Sequence, residues 1–262
     1  MEDDDVITAE QVRMLARKNS LRPEQQEKDY VLRILLSSIY RKGEGPVFKG
    51  GTCLRFCYGL NRFSEDLDFS IRAEPGPFRS MIRDAARSFS DFGIGYDFRK
   101  EEIFEKQGAY ACTLRFRGPL WDGKPQSQNS INVDAGKRTG IMLAPEWKMI
   151  GSEYPDLGNF MAQTMQEGEI FAEKASALFT RKKGRDLYDA WFLAWKGIAF
   201  DRKLFEQKMQ LAGVEPSFSL VGRAEYERDV ERLVPRALPY EAVVRDVREF
   251  FGAHGINLAP PD

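Results

Sequence analysis

Apolar residues return at helical spacing in EQQEKDYVLRILLSSIYRK (24–42), where Val31, Leu32, Leu35, Leu36 and Ile39 form one stripe. Pro23 stands where a first helical turn would begin, and residues 8–19 read as an earlier helix. The period then changes to 2. PVFK (46–49) is a short strand. Around LDFSI (67–71), Leu67, Phe69 and Ile71 fall on one face, and Asp66, Asp68 and Ser70 on the other. Residues 78–92 read as a helix. IGYDFRKEE (94–102), YACTLRFR (110–117) and SINVDAG (130–136) read as three further strands, separated by turn residues such as Gly108 and the stretch GPLWDGKPQ.

From about residue 157 the pattern is helical to the end. EGEIFAEKASALFT (167–180) is one helix and RKKG breaks it. RDLYDAWFLAWKG is the next, with Leu187, Ala190, Trp191 and Ala194 on its buried side. Two more lie around 201–212 and 223–251, the latter interrupted near Pro235 and Pro239. This order predicts an α+β fold: an N-terminal α+β domain over 1–150 and a helical C-terminal domain over 151–262. A crevice between them is the expected place for an active site.

Composition narrows the function. The net charge of −1 gives no global attraction to nucleic acid, so any basic surface is local. No apolar run reaches the length of a membrane span, and the acidic start MEDDDVITAE lacks the layout of a signal peptide. Cys53, Cys57 and Cys112 form no metal-like CxxC pair, which suits a reducing cytoplasm. His254 is the only histidine, which argues against His-ligated zinc and against Ser-His-Asp catalysis.

Chemistry concentrates in VFKGGTCLRFCYGLNRFSEDLDFSI (47–71). Gly50 and Gly51 follow a strand and precede a helix. Both a plain turn and a phosphate cradle at a helix N-terminus fit them. Asp66 and Asp68 lie about 6.6 Å apart on one face of a strand whose other face is apolar. Two anions there are unfavourable without a cation, and Mg²⁺ takes carboxylate oxygens at about 2.1 Å. In SINVDAG the side chains of Asn132 and Asp134 face one way, and Asp134 joins the cluster if its strand pairs beside 66–71 in register. Three acids and a glycine pair on a sheet point to metal-dependent phosphoryl or nucleotidyl transfer. Ser64 falls on the aspartate face, as a phosphate contact or a turn cap.

These residues resemble the AbiEii/AbiGii toxin-like nucleotidyltransferases, a family that includes MenT-like toxins. The likeness rests on GGT after a strand, on R-x-S-x-D-x-D in NRFSEDLDFSI, and on EKASALFTRKKGRDLYDAWFL in the second half; it runs from about residue 24 to 196. The resemblance implies a nucleotidyltransferase α+β core with a mixed sheet and flanking helices, followed by a helical part. It implies a nucleoside triphosphate as substrate with Mg²⁺ or Mn²⁺, a toxin role in toxin–antitoxin or phage defence, a cognate antitoxin encoded nearby, and transfer to RNA, with the tRNA 3′ end as the expected acceptor. By resemblance Lys49, Gly50, Gly51 and Thr52 hold the triphosphate, Asp66 and Asp68 bind metal, Lys174 contacts phosphates, and Asp189, ahead of Asp186, completes the second block. Asp134 as a third metal ligand comes from strand register and the general nucleotidyltransferase triad.

The remaining features divide between roles. Arg55 and Arg62 either bind phosphate or balance Asp66 and Asp68. Arg185 either contacts nucleotide or forms an i,i+4 pair with Asp189. Trp191 and Trp195 read as core, and TRKKGR (180–185) as a solvated basic turn or an RNA guide. An alternative function is a nucleotide-binding module that acts through a protein partner without transfer. Nucleotidylation of a small molecule is a third. Three retained acids favour transfer.

Overall fold

The computed structural model describes residues 6–137, 140–213 and 218–259. The chain divides into two compact units: Met1–Cys57, Phe63–Arg138 and Pro145–Thr164 make the first, and Tyr58–Arg62, Thr139–Ala144 and Met165–Asp262 the second.

The first unit is α+β, as expected. Its helices include α1 (Ala9–Lys18), α2 (Pro23–Tyr40), α3 (Gly50–Tyr58) and α4 (Pro75–Ala86). Its strands are β1 (Val47–Lys49), β2 (Asp66–Ser70), β3 (Gly95–Phe104), β4 (Ala109–Arg117), β5 (Asn129–Gly136), β6 (Glu146–Ile150) and β7 (Phe160–Thr164). Among the described residues they form one mixed sheet in the order β3-β4-β5-β2-β1-β7-β6. β2 runs parallel to β5 and antiparallel to β1, which is itself parallel to β7. The helical reading from residue 157 onward is therefore corrected at Phe160–Thr164, which enters the sheet.

α2 lies against the sheet because apolar side chains surround most of its circumference; Val31, Leu32, Leu35 and Leu36 are fully buried. Asp29, buried on α2, accepts from Arg33 (2.8 Å), from the Tyr154 hydroxyl (2.8 Å) and from Arg55 of α3. The two arginines outweigh burial, which alone would raise the Asp29 carboxyl, and hold it below the ordinary range. The buried charge is thereby matched, and α3 is fixed to α2.

The second unit is built from α5 (Glu167–Thr180), α6 (Gly184–Trp195), α7 (Arg202–Ala212), α8 (Arg223–Val230) and α9 (Tyr240–Ala253). Its core is aromatic: Phe179 packs edge-on against Phe251 with centroids 5.4 Å apart, and Phe171 stacks on Phe250 at 5.4 Å. The break at RKKG is real: Lys182 takes φ +48 between α5 and α6. Trp195 departs from the sequence reading. It is 71% exposed and stacks on half-buried Trp191, so this pair is not core. No helix among the described residues is long and apolar enough to cross a membrane.

Candidate active site

Lys49 of β1 lies opposite Asp68 of β2. The chain turns at Gly50, with φ +76, straight into α3. A Cβ on residue 50 would stand 2.9 Å from both Cβ and Cγ of Asp68. Glycine is thus required twice, for the backbone angle and for the space. Gly51 and Thr52 follow, both buried. The Thr52 hydroxyl donates to the Asp66 carbonyl oxygen (2.6 Å) and lies 2.9 Å from Ser64 Oγ. Thr52 and Ser64 therefore fasten α3 to the first residue of β2. The first turn of α3 offers the backbone N–H groups that a helix leaves without internal acceptors.

The β2–β5 register brings the acids together. Asp68 pairs across the ladder with Asp134, and Asp66 with Asn132. Alternation buries Leu67, Phe69, Val133 and Ala135 and turns the carboxylates to the opposite face. Asn132 Nδ2 donates to Asp66 Oδ1 (2.9 Å). Partial burial, with the charges of Asp68 and Asp66, pushes the Asp134 carboxyl up to about 6. No lysine or arginine among the described residues forms an ion pair with Asp66 or Asp134.

Among the described residues no three Asp, Glu, His or Cys side chains already converge as a cation cage. The donor set nevertheless fits a hard divalent ion. It is all carboxylate oxygen on one sheet face, where the charges of Asp68 and Asp66 add to burial in opposing the ionised form of Asp134, and a cation would relieve that repulsion.

The second block folds into a separate, buried network within the helical unit. Arg62 donates through Nε (2.6 Å) and Nη2 (2.8 Å) to the two oxygens of Asp189, a bidentate pair. Lys174 Nζ sits 2.8 Å from Asp189 and 3.4 Å from Asp186. Arg181 donates twice to Asp186 (2.7 and 2.8 Å). Both aspartates are fully buried and Lys174 nearly so. Burial would raise the Asp189 carboxyl, but Arg62 and Lys174 overcome it and hold the group at about 2.

Several sequence expectations meet different partners here. Asp189 takes Arg62 and Lys174, and Arg185 is exposed on α6. Arg62 and Arg55 pair with Asp189 and Asp29, so neither balances Asp66 or Asp68 through the bonds described. The Arg62–Asp189 pair spans 127 residues, and no local spacing announces it.

The nucleotidyl transferase AbiEii toxin model, of the type IV toxin–antitoxin systems, matches residues 33–253. No curated protein matches the chain. Among solved structures, the chain is similar to MenT4, a nucleotidyltransferase toxin of Mycobacterium tuberculosis H37Rv. Identity is 22% and the TM-score 0.67, over 92% of this chain and 88% of that one. It is also similar to JHP933 from Helicobacter pylori (20% identity, TM-score 0.62, 89% and 92% covered). A putative nucleotidyltransferase from H. pylori gives 19% identity and a TM-score of 0.61, over 89% and 95%. These likenesses show a shared fold. With the family match extending over most of its length, the chain belongs to the AbiEii nucleotidyl transferase toxin family and is a nucleotidyltransferase.

Proposed function

We propose that this protein moves a nucleoside monophosphate from a nucleoside triphosphate to a hydroxyl at the 3′ end of an RNA, with tRNA as the acceptor, and acts in the cytoplasm as a toxin held in check by a cognate antitoxin. One observation carries the reading: Asp66, Asp68 and Asp134 share one sheet face in register, beside a glycine turn that Asp68 itself makes obligatory. In this reading Asp66, Asp68 and Asp134 hold Mg²⁺ or Mn²⁺. The ion, when bound, supplies charge neutralisation at the α-phosphate and at the departing pyrophosphate.

The chain's own groups do the rest. Backbone N–H groups of Gly50, Gly51 and Thr52, with Lys49, bind the triphosphate. Ser64 steadies Thr52 or meets a phosphate. The acceptor hydroxyl oxygen bonds to the α-phosphorus, the α–β bridging bond breaks, and pyrophosphate leaves with that electron pair. The hydroxyl proton passes to a carboxylate near the acceptor. In this reading Lys174 contacts phosphate, as the resemblance implies. Asp189 and Arg62 hold Lys174 in place, and exposed Arg185 offers a further phosphate contact.

The test uses each α-labelled triphosphate with Mg²⁺ and total tRNA. Label is expected in RNA with the wild type and not with Asp68→Ala. Label in a low-mass product instead would replace RNA with a small-molecule acceptor. Nucleotide binding without any labelled product would favour a non-catalytic binding module.

A further inference from the structure

The face that carries the acids continues sideways over β4 and β3. Thr113 pairs with Asn132, Arg115 with Ser130, and on the next strand Arg99 with Thr113 and Asp97 with Arg115. Directly opposed residues of antiparallel strands share a face. Asp66, Asn132, Thr113 and Arg99 therefore form one row, three interstrand steps or about 14 Å long. The row is chemically continuous: the Thr113 hydroxyl donates to Asn132 Oδ1 (2.9 Å), and Asn132 donates to Asp66.

At its far end positive charge is in excess. Arg99, Arg115 and Arg117 all approach the single carboxylate of Asp97, at 2.5, 3.4 and 3.8 Å. Their side chains remain 56%, 38% and 34% exposed. Asp97 is the one acid these three guanidinium groups pair with, and with exposed Glu102 opposite Ala111 on the same face the arginines still outnumber the acids. The backbone also makes room for them. Gly95 leaves open the space in which the Arg117 guanidinium lies, since a Cβ there would come within 2.9 Å of it. A register shift between Arg99 and Glu102, with Lys100 at φ +48, re-aims this edge. Trp121, 43% exposed, sits beneath Arg117 at 5.9 Å. Basic side chains beside an exposed indole suit a phosphodiester backbone with a base to stack.

We propose that Arg99, Arg115 and Arg117 bind the phosphodiester backbone of a single-stranded acceptor end, and that Thr113 and Asn132 carry it along the row to the acid cluster. This rests on the RNA-acceptor reading above. The guanidinium groups supply the charge, Trp121 the stacking surface, and the row's length sets how much of the strand lies on the sheet.

The experiment compares full-length wild type with Arg99→Ala/Arg115→Ala/Arg117→Ala. Binding of a 5′-labelled single-stranded RNA oligonucleotide is followed by anisotropy against salt, and label transfer to total tRNA in parallel. The triple variant is expected to bind at least about tenfold more weakly. Its dependence of log K on log salt should flatten by about 2, from about 0.7 for each of three lost contacts. KM for RNA should rise while KM for the triphosphate stays. Arg99→Lys/Arg115→Lys/Arg117→Lys should recover most of the binding, and Arg99→Glu, at the most exposed of the three, serves if the triple variant does not fold. Unchanged RNA affinity, salt slope and KM in a variant of a wild type that does label RNA would overturn the arginine site alone. A wild type that labels no RNA would overturn the RNA-acceptor reading instead.

Discussion

Asp68 occupies the space that a side chain at Gly50 would need: a Cβ there meets the Asp68 Cβ and Cγ at 2.9 Å. The turn that feeds α3 and the carboxylate opposite Lys49 are thus a single packed unit. Gly50→Ala adds a methyl against Asp68 and asks a non-glycine residue to hold φ +76. The expected cost is about 1–3 kcal/mol in urea unfolding, with transfer reduced by about 10²-fold or more because Asp68 must move. A Gly50→Ala protein with wild-type turnover would break the link between turn and acid.

Asp134→Asn separates function from stability. The carboxyl stands at about 6 because partial burial and two neighbouring carboxylates oppose its charge. Removing that charge relieves the repulsion, so the thermal midpoint should hold or rise. If Asp134 holds the divalent ion as proposed, transfer should fall by about 10²-fold or more, since one of three oxygen ligands is lost. Paired melting and label-transfer assays check this. A variant that melts much earlier would show that Asp134 serves the fold.

Thr52 and Ser64 make a finer distinction. The Thr52 hydroxyl is buried and spent on the Asp66 carbonyl. Thr52→Val should therefore lower stability by about 1–2 kcal/mol through a carbonyl left without its donor. Turnover should drop while KM for the triphosphate stays near wild type, because only the backbone N–H of residue 52 is available to phosphate. Thr52→Ser should restore most of both. A large rise in KM with unchanged turnover would assign the hydroxyl to the phosphate after all.

How much of this was legible in the chain depended on one-sidedness. β2 and β5 each bury one face completely, so the alternation at Leu67/Asp68/Phe69 and Val133/Asp134/Ala135 fixed which side the acids take. β6 and β7 lacked a buried apolar face of that kind. On β6 the alternation is inverted: Trp147 and Met149 are exposed, 42% and 64%, while Glu146 and Lys148 on the other face are half-buried. On β7 the inward positions are the small Ala162 and Thr164. Trp195 misled for the opposite reason: a large apolar side chain at i+4 from Trp191 suggested a buried stripe, but it stacks outward on its neighbour. The Arg62–Asp189 pair was hidden because an ion pair closing a loop of 127 residues has no period.

That buried pair makes the acid behaviour of the protein predictable. Asp189 has a folded value of about 2 against an ordinary 3.8, because Arg62 and Lys174 outweigh the burial that would raise it. A depressed carboxyl contributes stability that is fully present above 3.8 and is lost as pH falls through about 2. The gap corresponds to about 2 kcal/mol. Urea unfolding from pH 6 down to pH 2 should lose that much more stability in wild type than in Asp189→Asn, which cannot titrate. Arg62→Ala should be harsher at neutral pH, about 3–5 kcal/mol, because it strips a buried carboxylate of its bidentate partner. At pH 2 its deficit should shrink, since Asp189 then carries a proton and needs the guanidinium less. Equal pH slopes in wild type and Asp189→Asn would mean that Arg62 and Lys174 do not stabilise the ionised carboxylate.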